Sequence, residues 1–224
     1  VLPRAYLVDK GVLVLGKPGN VDNAVFFLML NDNFNPSNTV IISESSLDKI
    51  DITLLEKFNV IIIAESPNEN DYAKLRTYAG NGGILMPNIF SGENQLSESR
   101  INNILSSFNS SYLNIKKMDI HYDTSEKATV KLNGKNGFLV LSEQYSQYPG
   151  WKAAINNEEV RIFKANNIIS AVYVNNKSGM LTFEYKPDSF KYGAWISGIS
   201  FLILIIFFSI KLFYGKNKPE AILQ

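Results

Sequence analysis

The residues best suited to chemistry in this sequence are three aromatic side chains around a Pro-Gly turn, Tyr145, Tyr148 and Trp151. Aromatic rings on a β-rich domain can stack on a sugar, although most such clusters pack into a core or a corner. If Trp151 begins a strand, Ala153 and Ile155 share its face and should point inward with it. The pattern favours a structural indole and keeps sugar contact by these three residues as the alternative.

The single histidine, His121, lies between Asp119 and Asp123, a spacing that at first resembles a metal-binding cluster. On a strand these three side chains share one face, and Ile120 and Tyr122 share the other. One imidazole makes a poor zinc site. We interpret the pattern as a polar outer face and predict no metal site.

Covalent and acid-base catalysis find little support in these residues. The chain has no cysteine, which excludes thiolate nucleophiles, thiolate metal ligands and disulfides. A Ser-His-Asp triad would need His121, and no G-x-S-x-G elbow occurs. No pattern pairs any two of the glutamates across a cleft, as a glycoside hydrolase requires. The four considered are Glu143, Glu158, Glu159 and Glu184. We predict no catalytic residue and no cofactor.

A glycine-containing loop at residues 16–20 follows a short apolar run and precedes a helix, which is a place where anions can bind. The loop fits neither the dinucleotide-binding nor the P-loop pattern, and Pro18 lacks an amide donor. A plain connecting turn is therefore favoured. Glu65 and Asn68 end a strand in the same region, and we interpret them as a solvated loop residue and a helix cap.

The elements that must position these residues fall into two soluble domains. Strands that are apolar on both faces alternate with helices up to residue 90, which is typical of a parallel sheet covered on both sides. The predicted strands are 11–16, 39–43, 59–64 and 84–87, and the predicted helices are 21–30, 47–58 and 70–79. Residues 1–90 are therefore predicted to be an α/β domain.

A connector over residues 91–118, with a short helix around Ile101–Ser107, leads to a second domain over 119–190. Here the hydrophobic period changes to two, and turn signals recur every 8–12 residues. One hairpin is predicted at 152–163, around Asn156-Asn157. This pattern predicts a small β-sandwich.

A membrane anchor is predicted at residues 192–214, followed by a tail at 215–224. No charge occurs from Tyr192 to Ile210, a stretch that covers roughly 28 Å as a helix and so matches a bilayer. A core helix seldom stays apolar on every face. Three lysines follow the span and two precede it, which weakly places the C-terminus in the cytoplasm and the bulk outside.

The bulk composition restricts the partners. The chain has 224 residues, 46% of them hydrophobic, and a formal net charge of +1. This is a globular composition without the basic patch that nucleic acid requires, so no nucleic-acid partner is predicted. Because no leader precedes Val1, we expect either a removed leader or a longer parent chain.

Several segments resemble the C-terminal soluble region and last membrane helix of YfhO-like membrane proteins, which are related to C-type glycosyltransferases. The matching segments are 1–8, 139–153, 159–166, 171–174 and 180–187, the last followed directly by the membrane helix. The resemblance implies a polytopic parent that uses lipid-linked sugars. Its catalytic carboxylates would lie in loops between N-terminal membrane helices, so none can be assigned to this chain.

Residues 71–85, a helix followed by a glycine pair and a strand, resemble class I glutamine-amidotransferase-like domains. The resemblance implies a flavodoxin-like or amidotransferase-like parallel sheet. Those enzymes use a cysteine nucleophile, and this chain has none. The implied domain is therefore catalytically silent.

Together these patterns predict a membrane-anchored, extracytoplasmic domain of a glycosyltransferase-like protein, which supports the handling of lipid-linked sugars without being catalytic on its own. The expected partners are the bilayer, a lipid-linked sugar and other membrane subunits. The alternative is a single-pass cell-surface binding or assembly protein with no enzymatic role. A hydrolase with an outside active site is the third hypothesis, and it would need a pair of titratable groups in a pocket.

Overall fold

The structure is a computed structural model that describes residues 4–31, 34, 39–86, 103, 106 and 116–216. The chain divides into two compact units, one ending at Tyr185 and the other beginning at Lys186. The first unit mixes helices with two large sheets, and an apolar helix dominates the second. Most of the predicted connector 91–118, including nearly all of its short helix around Ile101–Ser107, lies outside the described residues.

The elements up to residue 86 alternate strands with helices. They are β1 (Ala5–Val8), β2 (Lys10–Leu15), α1 (Pro18–Leu30), β3 (Thr39–Glu44), α2 (Ile52–Leu55), β4 (Val60–Ile63), α3 (Glu69–Gly80) and β5 (Ile84–Met86). From residue 116 to residue 185 the chain is mainly strands. They are β6 (Lys116–Lys117), β7 (Ile120–Thr124), β8 (Lys127–Asn133), β9 (Gly137–Leu141), β10 (Trp151–Ile155), β11 (Glu158–Val160), β12 (Phe163–Ala165), β13 (Ile169–Val174) and β14 (Ser178–Tyr185). A 3-10 turn spans Tyr145–Gln147, and the last of the described elements is α4 (Asp188–Lys216).

Four parallel strands form one part of the first sheet, in the spatial order β5-β4-β2-β3. Both faces of this part are buried. Val12 and Val14 of β2 pack with α1, while Leu13 and Leu15 point to the opposite face, where α2 and α3 contribute to the core. Because successive side chains of a strand point to opposite faces, a strand covered on both sides must be apolar throughout.

The predicted helix over residues 47–58 is wrong at both ends, because only Ile52–Leu55 is helical. The N–H of Leu47 donates to the buried carboxylate of Asp71 (2.9 Å), and the ammonium of Lys74 donates to the carbonyls of Leu47 and Ile50. The Lys74 ammonium thus binds two carbonyls that a helix beginning at Leu47 would have used, and α2 begins only after its cap, Asp51.

The first sheet continues beyond β3. Strand β12 pairs with β3 antiparallel, with Lys164 opposite Ser43 and Ala165 opposite Ile42. The sheet then runs through β13, β9 and β1 to β6, nine strands in all. Strands from 1–90 and from 119–190 therefore share one sheet, and its hydrogen bonds cross the predicted division at residue 90. Pairing with β12 satisfies backbone groups that an exposed edge at β3 would leave open.

A second, antiparallel sheet of five strands has the order β11-β10-β14-β8-β7. Its apolar face packs against the β9 and β13 part of the first sheet. Leu139 and Val172 of the first sheet share one buried cluster with Val130, Leu181 and Phe183 of the second. Two sheets facing each other over an apolar layer is the packing that the period-two pattern predicts.

The predicted hairpin around Asn156-Asn157 is confirmed between β10 and β11, and both asparagines adopt positive φ (50° and 71°) as a two-residue hairpin turn requires. The strand predicted at 158–163 is divided, however. Strand β11 belongs to the second sheet and β12 to the first. Arg161 and Ile162 form the crossing between the two sheets.

Helix α4 forms the second unit. Its segment Asp188–Leu212 has a mean hydropathy of 2.3, and none of its side chains is buried. By length and composition this segment can span a membrane, which is consistent with the predicted anchor.

Candidate functional site

The three predicted aromatic residues, Tyr145, Tyr148 and Trp151, line a single cleft of about 450 Å³. The chain forms it by the 3-10 turn, a Pro-Gly turn and the start of β10. Gly150 has a φ of 109°, which side chains rarely adopt, so the turn needs glycine there. Charged residues complete the wall: Lys152, Glu159 and Arg161. We call this cavity the aromatic cleft.

Trp151 lies at the boundary between core and cleft. Its ring stacks on that of Tyr145, with centroids 4.0 Å apart, and lies 5.6 Å from the ring of Tyr185. The indole is half-buried, whereas Ala153 and Ile155 on the same face are buried, as predicted. The indole therefore contributes to packing and also presents surface to the cleft.

The other two aromatic residues differ in exposure. Tyr148 is 59% exposed, whereas Tyr145 is only 9% exposed. Burial, assisted by the nearby Glu143 carboxylate, raises the pKa of Tyr145 to about 12, so its hydroxyl stays protonated at neutral pH. Tyr148 thus presents an exposed ring to the cleft, and the buried ring of Tyr145 packs against the indole of Trp151.

Hydrogen bonds hold the 3-10 turn against the first sheet. The N–H of Ser146 donates to the hydroxyl of Ser170 on β13 (2.9 Å), and the side-chain amide of Gln147 donates to the carbonyl of Ile168 (2.7 Å). A loop tied down at several points keeps its aromatic side chains in place, which reduces the entropy lost when a ligand binds.

Two charged residues of the cleft region were not identified from the sequence, Glu44 and Arg161. The guanidinium of Arg161 donates to the Glu44 carboxylate through Nη2 (2.7 Å) and lies over the Phe163 ring. Its Nη1 is buried and has no hydrogen-bond partner among the described residues. Burial, opposed by Arg161 and more weakly by Lys49, raises the pKa of Glu44 to about 7. This pair therefore combines a buried N–H group that has no acceptor among the described residues with a carboxyl whose pKa is about 7.

The sequence did contain a signal for Glu44. It is the first charged residue after a predicted buried strand, so it lies at the carboxyl edge of a parallel sheet, where ligands bind. Arg161 carried no such signal, since it lies within a segment that the pattern predicts as one strand. Only the crossing between the sheets places it beside Glu44.

The loop at residues 16–20 also lies at the carboxyl edge, but its charges are already paired. The Lys17 ammonium forms an ion pair with the Glu65 carboxylate, and the N–H of Lys17 donates to the same group (3.2 Å). These hydrogen bonds from Lys17 hold the pKa of Glu65 below its usual range. Asn68 caps α3, as predicted, by accepting from the N–H of Asp71. An internal carboxylate thus occupies the place that an anion would take.

His121 lies on β7, which forms an edge of the second sheet, with its Nε2 3.5 Å from Asp123. His121 is exposed and Ile120 is partly buried, in agreement with a polar outer face. Tyr122 is 39% exposed, so the inner face is only partly covered there. Within the described residues, no three histidine, aspartate or glutamate side chains converge as a metal site.

Comparison of the chain with protein-family models, with curated protein sequences and with solved structures gives no match. Function is therefore argued from the site. The aromatic cleft combines stacking surfaces with convergent polar groups, which is the usual composition of a small-ligand site.

Proposed function

We propose that this chain is a single-pass membrane protein whose larger unit binds a saccharide in the aromatic cleft, outside the cytoplasm, and is not catalytic on its own. The observation that carries the proposal is the pairing of an exposed Tyr148 with a half-buried, stacked Trp151 in a cleft that also has charged walls. Sugar rings have apolar faces and polar edges, and such a cleft offers a partner for each.

The extension of the proposal to lipid-linked sugars has two supports. One is helix α4, which can span a membrane by length and composition, and the other is the set of sequence segments that resemble YfhO-like membrane proteins. The orientation, with the bulk outside and the C-terminus in the cytoplasm, rests on the lysine bias around α4.

The finer fold assignment is part of the same proposal. The parallel strands have the order 2-1-3-4 when numbered along the chain, and this is the order of flavodoxin-like sheets. Together with helices on both faces, it supports the flavodoxin-like or amidotransferase-like assignment. The YfhO-like relationship rests on the sequence segments alone, and it would make the chain the outer domain of a glycosyltransferase-like protein.

One surface favours the alternative of a binding or assembly protein. The outer face of α1 exposes Phe26 by 63% and Leu30 by 67%. Exposed apolar clusters of this kind often mark contacts with another protein. Replacing both residues with serine would test this alternative, because loss of a membrane partner in cross-linking would support it.

Binding of the full chain, reconstituted in nanodiscs, to a panel of immobilised glycans tests the proposal. We expect binding to a subset of the panel, and we expect Tyr148→Ala to weaken it about tenfold without altering the melting temperature, because Tyr148 is exposed. Tyr72→Ala is the matched control, since Tyr72 is 54% exposed on α3, away from the cleft. Absence of glycan binding, or equal loss in the two variants, would contradict the proposal.

A further inference from the structure

Arg161 occupies an unusual position in the molecule. It lies in the short crossing between the two sheets, contributes to the wall of the aromatic cleft and pairs with Glu44 at the carboxyl edge of β3. About a quarter of its side chain (28%) is exposed, against 12% for Glu44. The Arg161 side chain, which lines the cleft, is thus partly exposed, while its carboxylate partner is more shielded.

The ion pair with Glu44 leaves part of the hydrogen-bonding capacity of the Arg161 guanidinium unused. Arginine offers five N–H donors, and its planar fork is suited to carboxylate and phosphate groups. The Glu44 carboxylate accepts a hydrogen bond from Nη2 of Arg161, and Nη1 of Arg161 has no partner among the described residues. Buried donors without a partner are uncommon in folded proteins, and they often indicate a function.

We infer that the aromatic cleft selects saccharides that carry an oxyanion, and that Arg161 recognises this group in competition with Glu44. The inference rests on the proposed saccharide binding and specifies its ligand class. Trp151 and Tyr148 would contact the sugar ring, and Arg161 would bind a carboxylate or phosphate substituent.

The competition makes recognition depend on protons. Because burial raises the pKa of Glu44 to about 7, this carboxyl is largely ionised at pH 8 and largely protonated at pH 6. Protonation removes the negative charge that holds Arg161, so an anionic ligand meets a less neutralised guanidinium at the lower pH. The acidic ligand should therefore bind more tightly as the pH falls from 8 to 6.

Other charged groups near this pair do not reverse that sign. Lys49 acts on Glu44 and favours its ionised form. Lys152 and Glu159, on the cleft wall, carry opposite charges, and the Tyr145 hydroxyl stays neutral throughout this range. The dominant change between pH 6 and pH 8 is the charge of Glu44.

The test uses the full chain in nanodiscs and three matched probes, methyl glucoside, methyl glucuronoside and glucose 6-phosphate, with affinities measured by calorimetry. At pH 6 the acidic probes should bind about tenfold more tightly than the neutral one, as a charge-assisted hydrogen bond allows. Comparing the two acidic probes distinguishes a carboxylate from a phosphate ligand. The preference for methyl glucuronoside should shrink at pH 8.

Variants assign the effect to the pair. Arg161→Gln should remove the preference for acidic probes, so that methyl glucuronoside binds no more tightly than methyl glucoside. Glu44→Gln keeps Arg161 free, so its affinity for methyl glucuronoside should be high and equal at pH 6 and pH 8. Arg76→Gln removes an arginine from α3 and should change nothing. If Arg161→Gln does not fold, Glu44→Gln alone decides.

The outcomes separate the two proposals. Equal binding of neutral and acidic probes by the wild-type chain would overturn the oxyanion inference and leave saccharide binding intact. A pH dependence that persists in Glu44→Gln would also overturn it. Failure of all three probes, when members of the glycan panel do bind, would also overturn the oxyanion inference. Failure of the probes and of the whole panel would overturn saccharide binding itself.

Discussion

Two regions of this molecule place a basic and an acidic residue at the carboxyl edge of parallel strands, and the two pairs behave oppositely. In the loop at residues 16–20, Lys17 is 79% exposed and its hydrogen bonds hold the pKa of Glu65 below its usual range. At the aromatic cleft, burial raises the pKa of Glu44 despite Arg161. Solvent access, more than the presence of a partner, decides the direction of the shift.

The two regions also differ in whether their hydrogen-bonding groups all have partners. The backbone and side chain of Lys17 both bond to Glu65, which completes the loop internally. The cleft has an exposed aromatic wall and, in Nη1 of Arg161, a donor without a partner in the part of the chain that the structure describes. Of the two regions, the cleft is therefore the better candidate for binding a ligand, because it offers both an aromatic surface and an N–H group that the described residues leave unpaired.

The largest expected effect is on stability when each pair is broken. Arg161→Met leaves the shielded Glu44 carboxylate alone and should lower the free energy of unfolding by about 3–5 kcal/mol at pH 8. At pH 5 the loss should be much smaller because Glu44 is then protonated. Lys17→Met should leave unfolding unchanged at both values. Urea denaturation of the chain in detergent measures this, and equal effects would remove the contrast between the pairs.

The next largest difference between the two pairs is expected in the pH dependence of stability. The pKa of Glu44 is raised in the folded state, from 4.5 to about 7, so the folded protein binds the proton more tightly than the unfolded one. Its contribution to stability is present below about pH 4.5 and is lost as the pH rises through 7, by about 3 kcal/mol. Glu44→Gln should flatten that slope.

One control and one opposing contribution sharpen the pH experiment. Glu126→Gln, at an exposed turn, should leave the slope as in the wild type. The pKa of Glu65 is lowered, so its smaller contribution has the opposite sign and is lost as the pH falls. A wild-type slope retained in Glu44→Gln would show that another group titrates.

The aromatic residues of the cleft should contribute to stability in proportion to their burial. Trp151 is half-buried and stacked, so Trp151→Ala should cost about 2 kcal/mol of stability, between the 3–5 expected for a core indole and the 0.5 or less expected for an exposed one. Tyr148→Ala should change stability by less than about 0.5 kcal/mol. Thermal melts decide, and a larger loss for Tyr148 than for Trp151 would reverse the assignment.

The smallest expected effect concerns one glycine in each region. Gly150→Ala forces a side chain into a φ of 109° and should destabilise by about 1 kcal/mol. Gly19 lies in the first turn of α1, and a Cβ there meets no atom within 4 Å. Gly19→Ala should therefore be neutral or stabilise by about 0.5 kcal/mol. Comparing melting temperatures of the two variants tests whether the cleft turn is the more constrained one.

Much of the fold followed from local patterns. The apolar runs at 39–43 and 59–64 predicted β3 and β4 to within one residue at each end, and Asn156-Asn157 predicted its hairpin. The first turn of the helix expected at 47–58 is absent because Lys74, distant in sequence, binds the carbonyls of Leu47 and Ile50. A local pattern cannot register such competition.

The candidate site was only half predictable. The clustering of three aromatic residues around a turn could be predicted, because they are close in sequence: Tyr145, Tyr148 and Trp151. Glu44 and Arg161 are separated by 117 positions, and no periodicity links them. Their meeting depends on β12 joining the first sheet beside β3, which is a choice of sheet edge and not of local conformation.

The sequence by itself determined the apolar C-terminal helix, the α/β and β-rich segments and the absence of cysteine chemistry, because each depends on composition or on short-range periodicity. Only the tertiary structure decided that strands from both segments form one nine-stranded sheet. It also decided that Glu44 is buried beside Arg161, and burial is what moves its pKa. Desolvation is a property of everything packed around a group, so no residue's own neighbours in the chain can specify it.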